Sequence, residues 1–182
     1  PGEVMSTVPL SGSVARVVVR VPESFAPARG QYVTIERGGV ARSFSVADRG
    51  GSALELHVRR VPGGALSPYL CDEARPGDPL SVTGPFGDCM YGETSPDVPL
   101  LLAGTGTGLA PLWGILLDAL AAGRRAPIWL FHGAVDPAGL YLRGELRALA
   151  ASHAGLRYVP SVLRGGAAEA PAEAPAEDAP LE

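Results

Sequence analysis

The chain of 182 residues contains no lysine; all fifteen of its basic side chains are arginine. The bias is uniform along the length and reads as coding bias, although a planar guanidinium also suits phosphate recognition. Positive charge is scarce as well. Fifteen Arg against nineteen Asp and Glu give a formal net charge of -4, which excludes a basic face for nucleic acid or anionic lipid. Cysteine is nearly absent: Cys71 and Cys89 are the only two, and neither belongs to a CxxC pair. No metal or redox-dithiol motif is therefore expected, and two buried or half-buried thiols are. Long hydrophobic runs are missing too. The best candidate, around 109–122, is interrupted by Pro111, Gly114 and Asp118 and falls short of the ~20 apolar residues a membrane span needs. No secretory leader opens the chain at Pro1, a start that suggests a fragment or a processed chain. The cytoplasm is the expected compartment.

What is present falls into three stretches. Residues 11–94, within a first domain expected over 1–95, read as β-rich. Val17, Val19 and Val21 lie in VARVVVRV, and Leu54, Leu56 and Val58 alternate with Glu55, His57 and Arg59, the period of a half-buried strand. QYVTIE (31–36) and RSFSVA (42–47) are further short strands, and a short helix is expected over Leu66 to Glu73. Turn signals such as Gly38-Gly39, Gly50-Gly51, Gly63-Gly64 and Pro76-Gly77-Asp78 separate them. Short, regularly punctuated strands predict an antiparallel barrel or sandwich. Over 96–164 the pattern changes. PLLLAG (99–104) and IWLFHG (128–133) read as continuous buried strands, and 156–162 as a third. A helix over Leu109 to Ala122 closes at Gly123, and a second runs from the Asp136-Pro137 start to about Ala151. Strands alternating with helices predict a parallel α/β sheet. Residues 165–182 are almost entirely Ala, Pro and Glu and read as a disordered tail.

Three segments carry candidate chemistry. In LLLAGTGTGLAPLWGIL a strand ends in the turn Gly104-Thr105-Gly106-Thr107-Gly108, which opens a helix. Glycine lets a backbone approach a pyrophosphate, and a helix N-terminus presents free N–H groups and partial positive charge. The turn departs from GxGxxG and lacks a P-loop lysine, so its glycines alone are equally a tight strand-to-helix turn. In Arg42-Ser43-Phe44-Ser45 the arginine can grip a phosphate, the ring can stack on a planar cofactor and a hydroxyl can bond a ring nitrogen; an ordinary barrel strand would look the same. Gly63-Gly64-Ala65-Leu66-Ser67 is a second anion seat or a plain turn and helix cap. His132 and the two tryptophans, Trp113 and Trp129, read as core, and His153 as a solvent-facing residue near a helix end.

The order of the pieces is more specific than any one of them. Gly30-Gln31-Tyr32, RSFS, HVRR, GGALS, Gly77-Asp78-Pro79-Leu80, Thr83-Gly84-Pro85-Phe86-Gly87 and GTGTGLAP together resemble the ferredoxin–NADP reductase superfamily over residues ~11–163. The closest likeness is to the reductase components of bacterial oxygenases. The resemblance implies an antiparallel β-barrel flavin-binding domain followed by a partial α/β parallel-sheet nucleotide-binding domain. It implies FAD as cofactor and NADH or NADPH as electron donor. Arg42 would bind the flavin pyrophosphate with Ser43 beside it, Phe44 would stack on the isoalloxazine, and Ser45 would bond the hydride-accepting N5. His57, Val58 and Arg59 would line the flavin, and Gly64, Ala65, Leu66 and Ser67 would cradle its pyrophosphate. Gly84, Pro85, Gly104, Thr105, Gly106, Thr107 and Gly108 would hold the nicotinamide cofactor, with Gly133 and Asp136 on its adenosine side.

Two departures from the family matter. It usually has Tyr where this chain has Phe44, which keeps stacking but loses a hydroxyl. A complete nucleotide domain has further strands and a Cys-Gly motif beside the nicotinamide, and neither Cys71 nor Cys89 fills that place. The nicotinamide pocket is therefore expected to be incomplete. The function implied is a reductase passing electrons from NAD(P)H through FAD to a two-iron two-sulfur ferredoxin-type centre or an oxygenase. No general acid–base pair is needed, and no metal site is expected. NADH is favoured, because Gly133-Ala134-Val135-Asp136 places a carboxylate and no basic residue where a 2′-phosphate would sit; Arg164 argues the other way. The alternatives are a non-catalytic flavin-binding electron-transfer or regulatory module, and a nucleotide-binding α/β protein without flavin.

Overall fold

A computed structural model describes residues 1–92 and 95–164, so the tail expected over 165–182 lies outside the described residues. Six strands form an antiparallel barrel: β1 (Gly2–Pro9), β2 (Val14–Arg20), β3 (Tyr32–Arg37), β4 (Val40–Gly50), β5 (Ala53–Arg59) and β6 (Pro79–Phe86). They close in the order β1-β2-β5-β4-β3-β6. Alternation decides what points inward. Val17 and Val19, Val33 and Ile35, and Leu54, Leu56 and Val58 fill the interior with almost no exposure. Each such side chain contributes roughly 1.5–3 kcal/mol by leaving water. A single helical turn, Tyr69–Glu73, caps one end through Leu66 and Leu70.

The second unit runs β7 (Leu100–Thr105), a 3-10 turn (Gly106–Gly108), α1 (Leu109–Ala121), β8 (Ile128–Ala134), a 3-10 turn (Pro137–Gly139), α2 (Arg143–Ser152) and β9 (Leu156–Val162). Its three strands are parallel and lie in sequence order. Two successive right-handed crossovers in one direction put both helices on one face. Leu109, Ile115, Leu116 and Leu146 accordingly share a core with Leu102, Ile128, Leu130 and Leu156. This corrects the expectation of fully buried strands. The other face is open: Leu101 is 68% exposed and Phe131, stacked on Trp129, 38%. The second expected helix is also corrected. Asp136 caps its start by accepting the Gly139 N–H at 3.0 Å, but the turn stops at Leu140 and α2 begins only at Arg143. Leu140, Tyr141 and Leu142 are all buried, and three consecutive side chains cannot share one helix face. The chain breaks through Leu142, at φ 57°. Cys71 is half-buried as expected, but Cys89 is exposed and both are free. Both tryptophans are half-buried rather than deep in the core. No helix among the described residues is long and apolar enough to cross a membrane.

Candidate functional site

The barrel is not paired all the way round. β4 and β5 run together from Gly50–Ala53, across an irregularity between Val46 and Asp48, as far as Val46–Leu56, and part there. Beyond that point Arg42, Ser43, Phe44 and Ser45 pair only with β3, and His57, Val58 and Arg59 only with β2. The two segments face each other across a seam of strand edge with no ladder partner. Such an edge is a ready hydrogen-bonding surface for a flat polar ligand. The two motifs read as flavin-binding from the sequence are the two lips of this seam.

The lip residues divide by face. Arg42 and Phe44 stand on one side of β4, where Phe44 packs beside the barrel core. Ser43 and Ser45 stand on the other, Ser43 with its hydroxyl 3.3 Å from that of Thr34. A ligand held by all of them lies across the edge of β4, not flat on either face. Arg42 is exposed, bonds only the neighbouring Ala41 carbonyl at 2.7 Å, and has no carboxylate partner among the described residues. On the other lip the Val58 side chain is buried in the barrel. His57 turns outward into a buried network. Its Nε2 lies 2.9 Å from Glu55, which also takes Arg16 at 3.0 Å, and its Nδ1 lies 3.3 Å from the Tyr141 hydroxyl. Burial pushes the Glu55 carboxyl up, but His57 and Arg16 outweigh it and hold the pKa below the usual value. Gly64–Ser67 forms a compact turn in which the Ser67 hydroxyl accepts the Val61 N–H at 3.1 Å. Leu66 is committed to the barrel core and Ala65 is exposed.

A second concavity lies at the C-terminal ends of the parallel strands. It is a cleft of about 850 Å³ lined by Thr105, Gly106, Thr107, Gly133 and Asp136, by the ends of β8 and β9, and across from them by Gly12, Ser13, Val14 and Arg59 of the barrel. Among the described residues Arg59 is its only lining cation and Asp136 its only lining anion. Ligands of open α/β sheets bind at such strand ends. The turn that forms it is tight: a Cβ at Gly104 would lie 2.8 Å from Leu112 and 3.0 Å from the Gly108 carbonyl. The turn touches the end of β5, so seam and cleft adjoin. Gly84 and Pro85 stand elsewhere. They sit on β6, with β3 between them and the Ser45 lip, and do not line the cleft. Sequence reasoning missed Gly12–Val14 and Ser161–Leu163, which also line it. The rule that ligands meet strand ends could have found Ser161; nothing local marks the turn before β2.

Residues 1–91 match the oxidoreductase FAD-binding domain family, and residues 102–174 match the oxidoreductase NAD-binding domain family. The chain belongs to the ferredoxin–NADP reductase-like oxidoreductases. Its barrel is thus the FAD-binding domain and its parallel sheet the NAD-binding domain of that family. The reductase subunit of an Amycolatopsis aromatic O-demethylase is 38% identical over 164 residues, covering 86% of this chain and 49% of that one. The naphthalene 1,2-dioxygenase system ferredoxin–NAD(P)(+) reductase component of Pseudomonas putida is 34% identical over 154 residues, covering 84% and 47%. The crystal structure of the Amycolatopsis cytochrome P450 reductase GcoB superposes with a TM-score of 0.79 at 36% identity, over 88% of this chain and 50% of that one. A Neisseria gonorrhoeae ferredoxin NADP+ reductase shares the fold at TM-score 0.77 and 22% identity, over 91% and 69%. The chain spans about half the length of the curated relatives it matches.

Proposed function

We propose that this chain passes electrons from NADH through FAD to an iron–sulfur or oxygenase partner, its barrel over 1–95 holding the flavin and its α/β unit over 96–164 the donor. The observation that carries the reading is the seam between β4 and β5, bordered by Arg42, Phe44 and Ser45 and adjoining the 106–108 turn. FAD, when bound, supplies the step from a two-electron hydride donor to a one-electron acceptor. The chain's own residues need only bind, orient and exclude water. Arg42 brings an unpaired guanidinium to the flavin pyrophosphate, the Gly64–Ser67 turn adds its backbone, Phe44 offers a stacking face, and Ser45 gives a hydroxyl to N5. Arg59 is reassigned. The sequence reading gave it to the flavin, but as the cleft's lone cation it fits the donor pyrophosphate better. Thr105 and Thr107 border the same cleft, and Asp136 at the end of β8 suits a free ribose hydroxyl and repels a 2′-phosphate. The relatives named as reductase components of demethylase and dioxygenase systems support the acceptor class. We also place this chain in the cytoplasm.

Purified protein tests the reading. A yellow chain with stoichiometric FAD, bleached by NADH under anaerobic conditions and much more slowly by NADPH, is the expected result. Colourless protein that takes up no FAD would overturn it. One observation favours the non-catalytic module instead. Among the described residues no strand pairs with the outer edge of β7, so the cleft has a sheet wall on one side only. Bound FAD that NADH fails to bleach would select that second reading.

A further inference from the structure

The NAD-binding unit touches the barrel on the same two strands that form the seam. α1 follows directly from the glycine turn and lies at backbone contact with β4. A Cβ at Gly114 would stand 2.6 Å from that of Arg29 and 2.8 Å from the Ala47 carbonyl, next to the Ser45 lip. Arg29 clamps this contact, with Nε 2.6 Å from Asp48 of β4 and a terminal nitrogen 2.6 Å from Asp118 of α1. At the other lip the contact is Tyr141. It is 2% exposed, and its ring meets His57 of the barrel and His132 of β8 edge-on, with centroids 5.3 and 5.7 Å away.

The Tyr141 hydroxyl has a specific task. Ring burial alone would be satisfied by Phe, whereas a buried hydroxyl without a partner destabilises. Its partner is His57 Nδ1 at 3.3 Å. Because His57 Nε2 faces the Glu55 carboxylate, that nitrogen carries a proton, and in the neutral ring Nδ1 accepts from Tyr141. Glu55 is held in turn by Arg16 of β2. The chain Arg16–Glu55–His57–Tyr141 thus ties the unit that carries the glycine turn to the β5 lip. His57 and Arg59 stand in the same outward row, so the tie also fixes where Arg59 enters the cleft.

We propose that Tyr141 is a positioning residue: through His57 it sets the β5 lip of the seam against the glycine turn, and so aligns donor and flavin. The inference rests on the reductase reading above. It is tested in the full chain with Tyr141→Phe, His57→Gln and the double variant. In the FAD-free protein, the Val58 amide, held in the ladder with β2, is expected to exchange with solvent faster in Tyr141→Phe than in the unaltered chain, with the far-ultraviolet spectrum unchanged. In the loaded protein, FAD content and NADH affinity are expected to hold, the visible circular dichroism of the flavin to change, and the limiting rate of its reduction to fall about tenfold, as small misplacements of reacting partners do. The double variant is expected to lose no more than the worse single one, because both break one bond. Unchanged exchange at Val58, or a limiting rate within about twofold of the unaltered chain with the same flavin spectrum, overturns the inference. An unaltered chain that binds no FAD overturns the reductase reading, and this inference with it.

Discussion

Arg42 carries the sharpest consequence at the level of single residues. Among the described residues its guanidinium has no carboxylate to satisfy, so its charge is available to a phosphate and is not spent on the fold. Arg42→Gln is expected to weaken FAD binding by about 1.5–3 kcal/mol, roughly tenfold to a hundredfold, with little change in melting temperature; an FAD titration of the apoprotein measures the first and its thermal unfolding the second. His132 has the opposite character. It is wholly buried, its Nδ1 lies 3.2 Å from the Tyr158 hydroxyl, and its Nε2 has no hydrogen-bond partner. Burial lowers its pKa from 6.5 to about 4. Between those values the unfolded chain binds a proton that the folded chain refuses. The stability His132 contributes is therefore full above pH ~6.5 and declines as pH falls toward 4. Urea unfolding at stepped pH is expected to show this loss, on the order of 2 kcal/mol, and His132→Gln to flatten it. The two thiols differ as well: burial, then the charge of Asp72, raises Cys71 to about 11, while Cys89 is exposed.

Among the elements, α1 does most to relate the two units. Gly114 lets it reach the Arg29–Gly30 turn and the Ala47 carbonyl at distances no Cβ tolerates. Gly114→Ala is expected to cost about 1–3 kcal/mol through overpacking against backbone, and to lower the melting temperature of the whole chain, since the contact joins both units; calorimetry checks this. How far such elements could be read from the sequence depends on whether their cause is local. β2, β3, β5 and β9 follow from alternation or apolar runs within a few residues. β1 escaped notice because in GEVMSTVP only Val4 is buried, and its pairing with β2 decides the rest. The break at Leu142 escaped because leucines at 142, 146 and 149 fit a helical face, while the burial of Tyr141 that forces the break is tertiary. The open face of the sheet was likewise invisible, since Leu101 and Phe131 are as apolar as the buried Leu102 and Leu130 beside them.

For the molecule as a whole, the site lies where pairing stops and where two units meet. RSFS, HVRR and GTGTGLAP could each be found by residue type, and their order carried the family resemblance. Their relation could not be found that way. A seam is the end of a strand ladder, and a ladder is fixed by partners far off in sequence. The assignments of Arg59 to the cleft and of His57 to Tyr141 depended on the same distant contacts. The seam is also what can be tested most directly. Hydrogen–deuterium exchange, followed residue by residue in the apoprotein and after addition of FAD, reads the unpaired edges themselves. The amides of Ser43, Ser45, His57 and Arg59, which alternate with amides bonded to β3 and β2 and so point into the seam, are expected to exchange quickly without FAD and to become strongly protected with it, while the paired stretch at 53–56 stays slow in both. Protection that appears elsewhere on the barrel and leaves those four amides unchanged would contradict the seam as the flavin site.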